Sequence, residues 1–178
     1  MATIKDDMIR IATETAQKAG IRAITMRELG EAVGIKSSSV MYHFQNKDGL
    51  LQAIVATYRT LFFSRLADMT GREKNPLKRL HRLIDLFEES LDKDKMCLCG
   101  MLASEVQELD IDTRKTTKLF FKDMEHWVGE QLEAAGIDSG LAPLVVSALE
   151  GAMLLDRLDG QHQRLRGVRR WLDTLGGG

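Results

Sequence analysis

Few residues in this chain have types and spacings that support chemistry. Cys97 and Cys99 are separated by one residue, a spacing that suits half of a metal site, but no second Cys pair and no suitably spaced His pair completes it. His81, His126 and His162 are far apart and fit solvent-facing or core positions. The sequence also lacks a Gly-rich phosphate loop and an arrangement of nucleophile, base and orienting residue. We therefore expect no metal, no cofactor and no enzymatic activity.

The two cysteines allow one further interpretation. Either thiol could sense oxidants or electrophiles, which requires a lowered pKa and solvent access. Lys93 and Lys95 precede the pair on a stretch typical of a loop, so the sequence fixes no cation beside the thiols. We favour buried, inert thiols and keep redox sensing by Cys97 or Cys99 as the alternative.

Local signals near the N-terminus indicate a helix-turn-helix. Thr25 and Glu28 have the spacing of a capping box, in which each residue satisfies the other's end of the first helical turn. Gly30 is small where a second helix must cross closely, and Gly34 permits the left-handed backbone of a turn. Val40 is expected to point inward from the short helix that follows. The other side chains of that helix are then free to meet base edges in the major groove of DNA.

At these residues the sequence resembles the TetR family of bacterial transcription regulators. The resemblance is carried by Thr25-x-Arg27-x-Leu29-Gly30-x-Ala32-Val33-Gly34-Ile35, then Val40-Met41-Tyr42-His43-Phe44 and Lys47-x-x-Leu50, and it is specific over residues 4–58. Lys36, Ser38 and Met41 stand where the family usually has Ser or Thr, Gly, and Tyr. Because these departures lie on or beside the surface that would read DNA, the operator sequence does not carry over from the family.

The resemblance implies a role for each polar residue of the motif. The expected DNA-binding residues are Thr25 and Arg27 for the backbone or an adjacent base, Ser37, Ser38, Ser39 and Met41 for the groove, Tyr42, His43 and Lys47 for phosphates, and Lys36 on or beside the reading surface. The assignment of Lys47 also has a physical reason, since it begins the fourth helix. A helix N-terminus presents free N–H groups and the positive end of the helix dipole to a phosphate.

An apolar, sulfur-rich set of residues follows the DNA-binding region. Met and aromatic side chains fill ordinary cores, and they also line irregular cavities that adapt to varied ligands. Composition alone favours a core, whereas the family resemblance implies a pocket for a small apolar or amphipathic ligand. The residues expected to line such a pocket are Phe87, Met101, Phe120, Met124, Trp127 and Met153.

Residues 141–158 carry apolar and small side chains in a four-three alternation, which is typical of a helix that packs along another helix. In the family, the last two long helices of each subunit form a four-helix dimer interface. We assign residues 141–158 and 112–135 to it, and the alternative is packing within one subunit. The expected interface residues are Leu141, Val145, Ala148, Gly151, Ala152 and Leu155.

The sequence as a whole favours helices and shows no alternation typical of strands. Good helix formers are abundant, and only two of the 178 residues are Pro. Start and stop signals predict an all-α fold of about nine helices, the first over Ile4–Ala19. We expect a helix-turn-helix DNA-binding domain over residues 1–47, a helical ligand-binding and dimerisation domain over residues 48–175, and a flexible tail over residues 176–178.

These features indicate a homodimeric repressor that binds an inverted-repeat operator in double-stranded DNA and is released by a small ligand. The net charge of −1 excludes general polycation attraction, so DNA binding must depend on where individual charges lie. The N-terminus lacks an apolar signal segment, and residues 141–155 are too short to span a bilayer. We therefore expect a cytoplasmic protein without a membrane partner. The alternatives are an activator, a regulator without an inducer, a thiol-based sensor, and a helical adaptor or enzyme that does not bind DNA.

Overall fold

A computed structural model describes residues 3–176, and within them it contains nine α-helices and no strand. The helices are α1 (Ile4–Ala19), α2 (Met26–Val33), α3 (Ser37–Phe44), α4 (Lys47–Thr70), α5 (Pro76–Leu91), α6 (Leu98–Ser104), α7 (Ile111–Ala134), α8 (Ala142–Asp159) and α9 (Gln163–Leu175). The expectation of an all-α fold is confirmed. No helix in the described part of the chain combines the length and hydropathy needed to cross a membrane.

The chain folds into two compact units. The first unit comprises residues 3–61 and 98–119, and the second unit comprises residues 62–97 and 120–176. Helices α4 and α7 are long, and each contributes residues to both units. The first unit is therefore larger than the expected domain of residues 1–47, and the end of the DNA-binding domain stays a prediction.

The first unit is built on the buried face of α1. Met8, Ala12 and Ala16 are spaced at four residues, so they lie on one side of the helix, and all three are buried. Helix α1 packs against α2, and α2 packs against α3. Val40 of α3 and Leu50 of α4 are also fully buried. This core fixes which side of α3 faces solvent.

Two polar contacts join residues of the first unit that are distant in sequence. The Ile21 N–H donates to Glu105 Oε1 at 3.0 Å, and the Arg22 guanidinium donates to Glu108 Oε1 at 2.6 Å. Gly20 precedes them with φ +85°, and a Cβ on Gly20 would lie 2.5 Å from the same Glu105 oxygen. The turn after α1 therefore needs glycine, and residues beyond α6 hold that turn in place.

The start of α2 differs in one detail from the expected capping box. The Thr25 hydroxyl accepts the Glu28 N–H at 3.2 Å, as expected for an N-cap. The Thr25 hydroxyl also donates to the Glu28 carboxylate at 2.7 Å, so that carboxylate bonds the hydroxyl and not the Thr25 N–H. A complete capping box occurs at the start of α1, where Thr3 and Asp6 satisfy each other's backbone N–H groups.

The second unit has a core of aliphatic, aromatic and sulfur-containing side chains. Leu83 of α5, Phe120 and Met124 of α7, Leu149 of α8 and Leu172 of α9 are all fully buried. Helices α5, α8 and α9 pack against one another. Each of these helices therefore gives one face to the core and leaves another exposed.

A buried carboxylate joins α8 to α9. Asp156 of α8 is fully buried, and it accepts the N–H of Arg164 at 3.0 Å and the N–H of Leu165 at 2.9 Å. The Arg164 guanidinium adds a third donor at 3.2 Å. These N–H groups belong to the first turn of α9 and would otherwise lack intrahelical partners. Asp156 therefore caps the helix that follows its own.

Candidate DNA-binding surface

Two glycines shape the turn between α2 and α3. Gly34 ends α2 in the left-handed conformation, with φ 74° and ψ 28°, where glycine is favoured because it has no Cβ. Gly30 lies one turn earlier, and a Cβ at that position would come within 2.7 Å of the Ile35 carbonyl oxygen. The Ile35 N–H also donates to the Gly30 carbonyl at 2.9 Å. The predicted tight crossing of α2 and α3 therefore rests on both glycines.

Helix α3 is held by two buried side chains one turn apart. Val40 has no exposed surface, and Phe44 is 5% exposed. The opposite side carries apolar groups that face solvent, since Met41 is 50% exposed and Tyr42 is 85% exposed. Exposed large apolar side chains next to three serines form a surface that can contact base edges and thymine methyl groups.

The expected DNA-binding residues all lie in the first unit, and all of them reach its surface. Eight are exposed, namely Thr25, Arg27, Lys36, Ser37, Ser38, Met41, Tyr42 and His43, and two are half-buried, namely Ser39 and Lys47. Arg27 forms a loose ion pair with Glu31 at 3.9 Å between two exposed side chains. Such a pair contributes little stability, so the guanidinium can exchange its partner for a phosphate.

The start of α4 lies directly after α3. Asn46 Oδ1 accepts the Gly49 N–H at 2.9 Å, and Gln45 forms the sharp turn between the two helices with φ 66°. The α4 N-terminus thus follows the last turn of α3 by two residues. Lys47 and the positive end of the 24-residue helix α4 therefore lie just after the C-terminal end of α3.

Sequence reasoning missed one cation near the C-terminal end of α3. The Lys5 ammonium lies 5.8 Å from the centre of the Phe44 ring, and Lys5 is exposed. It therefore adds a positive charge at the C-terminal end of α3. No local sequence signal joins Lys5 to the motif, because the contact depends on how α1 packs.

The expected pocket residues occupy different surroundings. Phe87, Phe120, Met124 and Met153 are buried in the second unit, and Trp127 is half-buried there, with the Arg79 guanidinium 5.9 Å from its ring centre. The Phe120 ring packs at 5.1 to 5.6 Å against three other phenylalanine rings, those of Phe62, Phe63 and Phe121. Met101 belongs to the first unit. A ligand pocket at these residues stays a prediction.

The residues expected in the dimer interface differ in exposure within a single chain, and the interface itself stays a prediction. Val145 has no exposed surface and Ala152 is 7% exposed within a single chain, so these two side chains belong to the core of the second unit. Gly151 and Leu155 are exposed, Ala148 is half-buried, and Leu141 lies before α8 in a short 3-10 turn. Helix α8 is apolar on nearly all sides, and spacing alone therefore could not select its outer face.

Both cysteine thiols are buried, Cys97 at 3% and Cys99 at 0% exposure. The Cys97 thiol donates a hydrogen bond to the Glu150 carboxyl group. A reagent must therefore open the packed interior before it reaches either sulfur. In the described part of the chain, no group of three or more His, Cys, Asp and Glu side chains is arranged to hold a metal ion.

Family models match both parts of the chain. The model described as bacterial regulatory proteins, tetR family, matches residues 9–54. The model described as transcriptional regulator LmrA/YxaF-like, C-terminal domain, matches residues 76–170. The first match contains α2, α3 and the start of α4, which carry the surface described above.

Two curated relatives cover different shares of the chain. The HTH-type transcriptional repressor KstR2 of Mycobacterium tuberculosis is 26% identical over 88 residues, which are 49% of this chain and 44% of that relative. This match thus spans less than half the length of the relative. The nucleoid occlusion factor SlmA of Marinobacter nauticus is 21% identical over 160 residues, which are 90% of this chain and 82% of that protein.

Solved structures share the fold over nearly the whole chain. A TetR transcriptional regulator from Legionella pneumophila superposes with a TM-score of 0.91 at 29% identity, covering 98% of this chain and 97% of that one. A TetR-family regulator from Agrobacterium tumefaciens gives a TM-score of 0.89 at 23% identity, with 97% of each chain covered.

Proposed function

This chain belongs to the TetR family of bacterial transcription regulators and is a DNA-binding regulator, and on that premise we propose that it is a homodimeric repressor released from its operator by a small ligand. The observation that carries the proposal is the exposed face of α3, supported by Val40 and Phe44 and bordered by the start of α4. We place its action in the cytoplasm, where the operator is, and assign it no catalytic activity.

The expected DNA-binding residues of the first unit are proposed to have two kinds of role. Met41 and the serines at 37–39 enter the major groove, while Tyr42, His43 and Lys47 position the helix on phosphates. We add Lys5 to the residues that contact phosphates, because its ammonium lies beside the end of α3. Phosphate contacts contribute affinity to every sequence, and groove contacts select among sequences.

Dimerisation is proposed to use the outer face of α8. Leu144 is 54% exposed and Leu158 is 80% exposed, and together with Gly151 and Leu155 they follow the four-three spacing of a helix that packs along another. A Cβ added at Gly151 would meet no atom within 4 Å, so this glycine leaves room for a partner helix. Helix α9 packs beside α8, and the exposed residues of α7 in the second unit are mostly charged. We therefore pair α8 with α9, and not with α7, in the interface.

A dimer of this kind presents two recognition helices to successive major grooves, which requires an inverted repeat. A ligand that binds better to a conformation with a different helix spacing lowers operator affinity. Repression, and not activation, is proposed because KstR2 is named a repressor.

The proposal is tested by selecting genomic fragments from the source organism that the purified chain retains in a gel. We expect retained fragments to share an inverted repeat, and Lys47→Ala to weaken their retention strongly. Lys93→Ala is the matched control, because Lys93 is an exposed lysine of the second unit. Retention of all fragments alike, or equal effects of the two substitutions, would overturn the proposal.

A further inference from the structure

Helix α8 carries two carboxyl groups with buried oxygen atoms, on the buried Asp156 and the half-buried Glu150, and they differ in how these oxygens are satisfied. Asp156 accepts three N–H groups. Glu150 lies less than two turns earlier, and its Oε1 is buried without a hydrogen-bond partner in the described part of the chain. Buried polar atoms without partners are rare in native proteins, and each one calls for an explanation.

The groups around Glu150 are weak partners. The Cys97 thiol donates to the Glu150 carboxyl group, and a thiol is a poor donor. The Cys97 N–H points at the Met153 sulfur at 3.3 Å, and a thioether is a poor acceptor. Met96, Leu149 and Met153 are buried beside these residues in sequence. The carboxyl group therefore lies in apolar, sulfur-rich surroundings that adapt readily to the shape of a guest.

No residue of the described chain supplies a countercharge. Lys, Arg and His form no ion pair with Glu150 among the residues described. Burial raises the pKa of Glu150 from its ordinary value of 4.5 to about 7, and the Cys97 hydrogen bond opposes this only in part. Burial disfavours the charged form because it removes water from the carboxylate. A bound cation would reverse that effect.

We propose that Glu150 is the polar contact of the ligand site in the second unit, and that the ligand is an apolar molecule carrying a protonated amine. The inference rests on the proposed function, since it names the class of ligand that releases the operator. The Glu150 carboxylate lacks a strong hydrogen-bond donor and a positive charge, and an ammonium group supplies both. An apolar body suits the methionine and leucine side chains nearby.

The test uses the full chain and pairs of probes that differ only in the charged group. 2-Phenylethylamine is compared with 2-phenylethanol, and tryptamine with tryptophol, by calorimetry at about pH 8, where a primary amine stays protonated. We expect the amines to bind about tenfold or more tightly than the alcohols. Glu150→Gln should bring each pair to equal affinity. Glu133→Gln, which removes the same charge from an exposed position, should keep the preference.

Each outcome bears on one claim. Equal affinities within each pair, no binding of either amine, or a preference that persists in Glu150→Gln would overturn the assignment of Glu150. Operator retention without a probe, measured on the same samples, tests the proposed function separately. A wild-type chain that retains no operator fragment contradicts the repressor, whatever its probe preference.

Discussion

Replacing Glu150 by Gln should change how the stability of the protein depends on pH. The carboxyl group of Glu150 has a pKa near 7 in the folded chain, mainly because burial disfavours its charge. In the unfolded chain it returns to an ordinary value of 4.5. Between these two values the folded state holds a proton that the unfolded state releases, so the free energy of unfolding falls as pH rises.

The size of this effect follows from the interval between the two pKa values. That interval corresponds to a loss of about 3 kcal/mol in the free energy of unfolding. Stability is fully retained below about pH 4.5, and the loss is complete above about pH 7. Of the total, about 2.5 kcal/mol falls between about pH 5 and about pH 8. Glutamine does not titrate, so the Glu150→Gln variant should lack this part of the slope.

Urea unfolding followed by circular dichroism at one protein concentration measures the difference directly. The variant should gain stability relative to wild type by about 2 to 3 kcal/mol on going from about pH 5 to about pH 8. All other titrating groups are shared and cancel in the comparison. Glu133→Gln, which removes a carboxylate from an exposed position, is the matched control. Parallel curves for wild type and Glu150→Gln would refute the argument.

Three further predictions concern other parts of the molecule. Lys47→Ala should weaken binding to operator and to unrelated DNA equally. In gel-retardation titrations it should lower the slope of log affinity against log salt concentration by about one. Met41→Ala should instead change the bases recovered by selection, and the reverse assignment of effects would contradict the proposed roles. Gly151→Arg should place a charge in the dimer interface and yield folded monomers by light scattering, and a persistent dimer would rule out this face of α8. Asp156→Asn should lower the free energy of unfolding by about 1 to 3 kcal/mol in urea titrations, since it weakens three hydrogen bonds to a buried carboxylate. Unchanged stability would show that the cap of α9 contributes little.

Much of the first unit could be predicted because its signals are local. Helix α1 begins and ends at the expected residues, and Gly30, Gly34 and Val40 all have the surroundings that the motif predicts. Caps, turns and buried positions of short helices depend on neighbours within four residues, which a single sequence displays.

The remaining features depend on packing between distant segments. The outer face of α8 could not be chosen from spacing, and Val145 of the expected interface has no exposed surface within a single chain. In the sequence Glu150 is visible only as a charge that interrupts an apolar stretch, and its buried oxygen could not be foreseen because a glutamate on a helix is usually exposed. Lys5 reaches α3 only through the packing of α1. These three features can be recognised only in the tertiary structure. The sequence shows which residues are apolar or charged, but it does not show which distant residues they contact.

The hydrogen bonds that Glu105 and Glu108 accept from the turn after α1 form late during protein synthesis. Glu105 and Glu108 follow the residues they hold by 84 and 86 positions. The ribosome therefore releases the recognition helix well before it makes the side chains that secure the turn. Domains generally fold as units during translation, and here the first unit is complete only once residue 119 has emerged. A nascent or truncated chain ending after α4 thus carries the DNA-contacting residues without their full support, and we expect it to compete poorly with the finished protein for the operator.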